Sequence, residues 1–353
     1  MRILYCALKY DYGIPSRGFS YEHENFYHTL FSMSNLDVTY FPFDEIMRRV
    51  GRRALNQELL ERVERLSPDL CFFVLFTDEI TQDTIREITR RGQTLTFNWF
   101  SDDQWRFESY SKHWATLFHW VSTTDKRAIE KYRTLGYDTV IPTQWACSSR
   151  ILREHRGMDS KYEVTFVGQP HSNRRKTVTE LKRRGLNVEC WGHGWPRGRV
   201  SQDEMVQIFQ QSRINLNFPA SSTHLGWKPI VKIFVRRRAN DEMRLNRPAE
   251  FIDQFKALVG PRRLQIKARN FEIPGAGGFL LTGPAENLEE YYLPGKEIET
   301  FNSFDDLVEK LEYYLSHDQQ RESIRVAGHA RTRSEHTYEK RFLEIFRTMG
   351  LLS

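Results

Sequence analysis

From its first residues the chain alternates between two hydrophobic periodicities. Short runs rich in Val, Thr, Ile and aromatics fall at 2–8, 37–41, 70–76, 94–99, 120–123 and 139–141, and read as strands. Between them, apolar residues recur at helical spacing over 21–33, 45–66, 80–91, 106–118 and 126–135. Strand and helix in turn predict a parallel sheet covered on both faces. The pattern starts afresh with a strand at 162–167 that ends at Gly168. Helix 174–184, strand 188–191, helix 203–211, strand 214–218, helix 265–273, strand 278–281, helix 304–317 and a helical stretch over 321–349 follow. Two such series predict an α/β protein of two Rossmann-like domains facing a central cleft, because ligands of open α/β sheets sit beyond the strand C-termini. The expected division is 1–155, 156–335, and a C-terminal helix at 336–353 that can cross back to the first domain. Residues 221–263 interrupt the alternation with VKIFVRRR and then NDEMRLNR. They read as an inserted basic segment in the second domain, a helical hairpin or long loop, a kind of feature that often carries specificity.

Composition narrows the class without naming a function. At 353 residues the chain is too long for one ordinary core, and 39% hydrophobic with 28% charged residues suits a globular protein. Its longest apolar runs, such as 70–76, fall far short of the ~20 residues of a transmembrane helix. Met1 leads straight into the strand-like ILYCAL, without the ordered segments of a secretion signal, so a cytoplasmic location is expected. Cys6, Cys71, Cys147 and Cys190 are scattered and read as buried free thiols, not as disulfides or a metal cluster. The net charge of +6 favours anionic partners: nucleoside diphosphates, acidic glycans, lipid phosphates or nucleic acid.

Two constellations carry candidate chemistry. Residues 269–282, RNFEIPGAGGFLLT, place Glu272 near a helix end before a glycine-rich turn and a strand. A glutamate there can accept hydrogen bonds from the vicinal hydroxyls of a ribose. Gly275, Gly277 and Gly278 would let a ligand approach the backbone, while Lys267 and Arg269 could reach a diphosphate. The same run also fits a plain helix–turn–strand junction. Asp102 and Asp103 follow the strand at 94–99, where a carboxylate can act as general base on an acceptor hydroxyl or can cap the next helix. Adjacent carboxylates point different ways, so at most one serves as catalyst. Their spacing is wrong for a metal-binding DxD, and no metal site is expected.

The run QIKARNFEIPGAGGFLLT, with NLEEYYLPGK at 287–296, resembles the CgeB-like group of glycosyltransferases within the GT-B superfamily. TFVGQPHSNRR at 165–175, INLNFP at 214–219, NWFSDDQW at 98–105, VSTTD at 121–125 and HTY at 336–338 are similar to that group in the same order. The resemblance covers most of the chain except 221–263. It implies a GT-B fold and transfer of a sugar from a nucleoside-diphosphate sugar to an acceptor hydroxyl, without a cofactor or metal. It places Glu272 on the donor ribose, Gly168 beside the donor phosphates, and Arg174 or Arg175 on the diphosphate. Leu264 stands where the superfamily's first paired glutamate is expected, which favours inversion. The loop at 11–22, with Tyr12 and Arg17, is implied to meet the acceptor, and His224 and Trp227 of the inserted segment are further acceptor candidates. Two other functions compete: a polyanion- or nucleic-acid-binding GT-B-like protein using VKIFVRRR, and a transferase whose acceptor is anionic, such as modified DNA or a phosphate-bearing glycan. The donor's base and sugar are not specified by any of these residues.

Overall fold

The computed structural model describes residues 1–154, 160–171, 173–219, 235–246, 248–259 and 263–352. They form two compact units, one of Met1–Gln144, Thr223–Pro261 and Arg341–Ser353, the other of Trp145–Ser222 and Arg262–Lys340.

The first unit is built on six parallel strands: β1 (Arg2–Ala7), β2 (Asp37–Pro42), β3 (Leu70–Phe73), β4 (Leu95–Phe100), β5 (Trp120–Thr123) and β6 (Val140–Pro142). Their order, β2-β1-β3-β4-β5-β6, is doubly wound. Alternation along β1 and β3 fills both faces. Leu4, Cys6, Cys71 and Phe73 join Phe43, Leu55, Leu59, Ile85 and Ile88 in one core. On the opposite side, Tyr5 and Phe72 share a layer of edge-on aromatic contacts with Phe26, Trp99 and Phe342. Phe342 comes from the last helix, Tyr338–Thr348, so the C-terminus of the chain completes the first unit's core. The helix expected at 106–118 is a series of short turns, one of them a widened π turn at Phe107–Ser111. Phe107, Tyr110, Trp114 and Phe118 all enter the same core, which a widened turn accommodates.

The segment anticipated as part of the second domain packs instead with the first unit. Instead of a helical hairpin, its described residues form a short antiparallel β-hairpin, β10 (Val235–Arg237) with β11 (Met243–Leu245), and one helix, Pro248–Val259. The physical reason is one buried carboxylate. Asp78, just beyond β3, receives Arg238 through Nε and Nη2 at 2.7 and 2.9 Å and Arg244 at 2.7 Å. Arg52 approaches at 3.6 Å and donates to the Asp78 carbonyl. The backbone N–H of Ala239 donates to Glu79, and Asn240 bridges Arg48 and the Asp44 carbonyl.

The second unit repeats the first's winding with five parallel strands: β7 (Tyr162–Val167), β8 (Val188–Trp191), β9 (Ser212–Asn217), β12 (Leu280–Thr282) and β13 (Glu299–Thr300), in the order β13-β12-β9-β7-β8. The helical stretch expected over 321–349 divides into Asp318–Glu335 and Tyr338–Thr348. It breaks where Cys147 donates its N–H to the His336 carbonyl and accepts from the Tyr338 N–H. All four cysteines are buried and free, as expected.

Asp78 yields a pH-dependent prediction. Burial alone would raise its pKa, but Arg238, Arg244 and Arg52 outweigh burial and hold it below the usual range. Its contribution is therefore complete above the unfolded value of about 3.9 and is lost as pH falls through the lower folded value. Asp78→Ala at neutral pH, which strands buried guanidiniums, should destabilise the hairpin by roughly 3–5 kcal/mol. Amide exchange over 235–246 should accelerate in that variant, and in the wild type only in acid; unchanged exchange in the variant refutes the tether.

Candidate active site

In the second unit, the connections of β7 and β9 leave on opposite sides of the sheet, so the C-terminal ends of these neighbours mark the switch point where α/β sheets bind ligands. Arg174 opens the helix Arg174–Arg183 and spans this point. It donates through Nη1 to the Gln169 carbonyl at 3.0 Å and through Nη2 to the Phe218 carbonyl at 2.6 Å. Arg269 reaches the same edge from the other side, donating through Nε to the Val167 carbonyl at 3.2 Å. Burial, and then the neighbouring Arg269, push the Arg174 pKa down to about 10. Two cations held together in this way form a focused positive field aimed beyond the strand ends.

Glu272 lies on the helix Arg269–Gly275, is 1% exposed, and pairs with Arg269 one turn earlier. A buried network fixes that helix. Asn217 at the end of β9 donates to Asn270 and Thr282 at 3.2 and 3.1 Å, and Asn270 donates to Thr282 at 3.3 Å. Asn270 also accepts the Lys267 backbone N–H at 3.1 Å. The helix thus begins at Arg269, not at 265, and Lys267 stands just before it.

Several expected residues take other roles. Arg175 turns away from the strand edge, donating to the Gly194 carbonyl at 2.7 Å and lying over the Trp195 ring. Gly275 and Gly278 serve packing inside the unit and not ligand approach. A Cβ at Gly275 would stand 2.3 Å from the Cys147 sulfur, and one at Gly278 2.8 Å from the Asn215 amide. Gly277 supplies the left-handed turn between them, with φ of 78°. Gly168 stays at the switch point, where its carbonyl accepts from the Trp195 indole at 2.8 Å.

In the first unit, Asp102 and Asp103 separate. Asp103 is 1% exposed and accepts a 2.8 Å hydrogen bond from the Tyr132 hydroxyl. Asp103 thus spends its carboxylate on a buried hydroxyl of its own unit, and Asp102 is the more accessible of the two. Asp102 is half-buried beyond β4 and makes no side-chain capping bond. Glu22, half-buried after the loop that follows β1, adds a carboxylate to the candidates. Burial first, and then the Asp11 and Asp102 carboxylates, raise its pKa to about 7, against the pull of its backbone and Ser20 hydrogen bonds. Arg17 pairs with Asp11 at 3.0 Å and lies 4.5 Å over the exposed Tyr12 ring. His224, Trp227 and residues 231–234 of VKIFVRRR lie outside the described residues.

The comparisons agree with this architecture. Residues 174–347 match the family model described as Glycosyl transferase-like. The spore protein CgeB of Bacillus subtilis (strain 168) is 20% identical over 288 residues, 80% of this chain and 83% of that protein. HepE of Anabaena, solved in complex with UDP-glucose, superposes with a TM-score of 0.61 at 10% identity, covering 100% of both chains. Sucrose-phosphate synthase of Thermosynechococcus elongatus also gives 0.61, at 7% identity, covering 99% of this chain and 98% of that one. Two doubly wound parallel sheets and these structural neighbours give the chain the GT-B fold, and its residues 174–347 are glycosyl transferase-like. Over most of its length the chain is similar to CgeB.

Glu22 offers a direct check. A carboxyl whose folded pKa is raised binds its proton more tightly when folded, so its effect on stability worsens as pH rises from about 4.3 to about 7. Glu22→Gln should therefore match the wild type near pH 4 and exceed it in melting temperature near pH 8. Equal melting temperatures at both pH values contradict the raised pKa.

Proposed function

We propose that the chain transfers a sugar from a nucleoside-diphosphate sugar, with a UDP-sugar the first choice, to an acceptor hydroxyl. The observation that carries this reading is the pair of guanidiniums, Arg174 and Arg269, at the switch point of the second sheet beside Glu272. The donor diphosphate lies against Arg174, Arg269 and Lys267 near Gly168, and Gly277 shapes the adjoining turn. Its ribose takes the Glu272 carboxylate from Arg269, which then turns to the phosphates. HepE, of the same fold, was solved with UDP-glucose, which supports the choice of base.

In the reaction, the acceptor oxygen forms a bond to the anomeric carbon as the bond from that carbon to the diphosphate oxygen breaks. The acceptor proton passes to a carboxylate, and the leaving diphosphate keeps the electron pair. Its charge grows against the fixed cations, which stabilise it without reorganising and without calling on a metal ion. Asp102 is the first choice of base. Glu22 is the second, favoured by a pKa of about 7, close to the working pH of a general base. A single displacement inverts the anomeric centre, in keeping with Leu264 in place of a glutamate. Tyr12 and Arg17 face the acceptor, which can itself be anionic, and the reaction takes place in the cytoplasm.

Thermal shift against UDP, GDP, ADP, TDP and CMP should single out one stabiliser, adding about 2.7 kcal/mol at a hundred times its Kd. Glu272→Ala should weaken it, and EDTA should leave turnover intact. No response to any nucleotide refutes the donor site, and full affinity in Glu272→Ala refutes the placement of the ribose. In the pH profile of kcat/KM, an acid limb near 7 that disappears in Glu22→Gln assigns the base to Glu22, whereas a limb that disappears in Asp102→Asn assigns it to Asp102.

A further inference from the structure

On the hairpin and helix of 235–259, charged side chains turn inward beside large apolar ones that face out. On β11, Arg244 turns inward to Asp78, so its neighbours Met243 and Leu245 point the opposite way and are 64% and 76% exposed. On the helix Pro248–Val259, Asp253 turns inward to Lys112 at 2.6 Å and His113 at 2.9 Å. Ile252 and Phe255, three residues apart and so on one helical face, are 64% and 56% exposed. Ordinary surface elements bury their apolar side and show their charges to water. Here Arg244 and Asp253 make inner contacts, while Met243, Leu245, Ile252 and Phe255 are presented outward. Of the thirteen large hydrophobic residues exposed among the described residues, four fall within 243–255, including the three most exposed of all. Solitary exposed apolar residues need no explanation, but a concentration of them does.

The charge of the same stretch indicates what it meets. Residues 235–259 hold six Lys and Arg against four Asp and Glu, and with the flanking sequence the count over 221–263 is ten against four, a surplus equal to the chain's net +6. We infer that 235–259 is a docking surface for a bilayer with anionic headgroups. Met243, Leu245, Ile252 and Phe255 enter the interface between headgroups and acyl chains, and the surrounding cations meet the lipid phosphates. A second copy of this chain would bring an equally basic segment and be repelled. A nucleic acid would satisfy the cations but leave four aliphatic and aromatic side chains without apolar cover. Among the described residues no helix is long and apolar enough to cross a membrane, so this contact lies on the surface and does not span it. The hairpin also packs on the loop after β1, where a Cβ at Gly13 would stand 2.7 Å from the side chain of Ala239. The docked bilayer therefore borders that loop. The inference is independent of the donor site.

The test is co-sedimentation of the full chain with phosphatidylcholine vesicles, with and without about one third phosphatidylglycerol. The wild type should pellet with the anionic vesicles only, and added salt should weaken the binding. The variant Met243→Ser/Leu245→Ser/Ile252→Ser/Phe255→Ser should lower the partition coefficient at least roughly tenfold while keeping the wild-type circular dichroism melt. Leu245→Ser/Ile252→Ser, which disturbs the surface less, should give an intermediate loss and serves if the fourfold variant does not fold. Failure to pellet with anionic vesicles overturns the inference, as does pelleting that the serine variants leave unchanged. Binding to duplex DNA without binding to vesicles, or a dimer on gel filtration that the serine variants dissociate, also overturns it.

Discussion

Two guanidiniums meeting at the end of a parallel sheet are the constraint around which the second unit is arranged. Like charges repel, and burial removes the water that would screen them, so Arg174 and Arg269 stay together only because fixed groups hold each one. Carbonyls at the ends of β7 and β9 accept from Arg174, the Val167 carbonyl accepts from Arg269, and Glu272 neutralises Arg269 from below. The Asn217–Asn270–Thr282 network locks the helix that carries Arg269 and Glu272 to the strands. The outcome is a preorganised positive site at the topological position where such sheets take ligands.

The first unit applies the opposite charge arrangement. One buried carboxylate, Asp78, gathers three arginines and thereby holds a distant part of the chain against the loop after β1. Close by in sequence and structure, that loop contributes Asp11, Arg17 and Glu22, and β4 contributes Asp102. The first unit thus presents carboxylates, Asp102 and Glu22, of the kind a transferase uses to activate an acceptor, and the second the cations that stabilise a departing diphosphate.

Much of the fold was legible because the periodicities of strand and helix are local. All six strands of the first sheet and four of the five in the second fall where the apolar pattern put them; β13, two residues long, leaves no periodic trace. What escaped was non-local. Arg238 and Arg244 sit in the sequence of the second domain, yet their partner Asp78 lies 160 or more residues earlier. Asp102 and Asp103 look equivalent in sequence; partners such as Tyr132, 29 residues on, hold Asp103 buried while Asp102 stays half-buried. Gly275 and Gly278 looked like ligand-approach glycines until Cys147 and Asn215 were seen against them. The polar network had a signal that could have been read. Asn215 and Asn217 alternate with Ile214 and Leu216 in β9, and buried asparagines need partners.

The central claim is that the cation pair binds the diphosphate portion of a nucleotide. Isothermal titration of the wild type and Arg174→Ala/Arg269→Ala with UDP and with uridine tests it most directly. Loss of two charge-assisted contacts should weaken UDP at least roughly a hundredfold and leave uridine nearly unchanged. Equal affinity of both proteins for UDP, or an equal loss for UDP and uridine, would contradict the account.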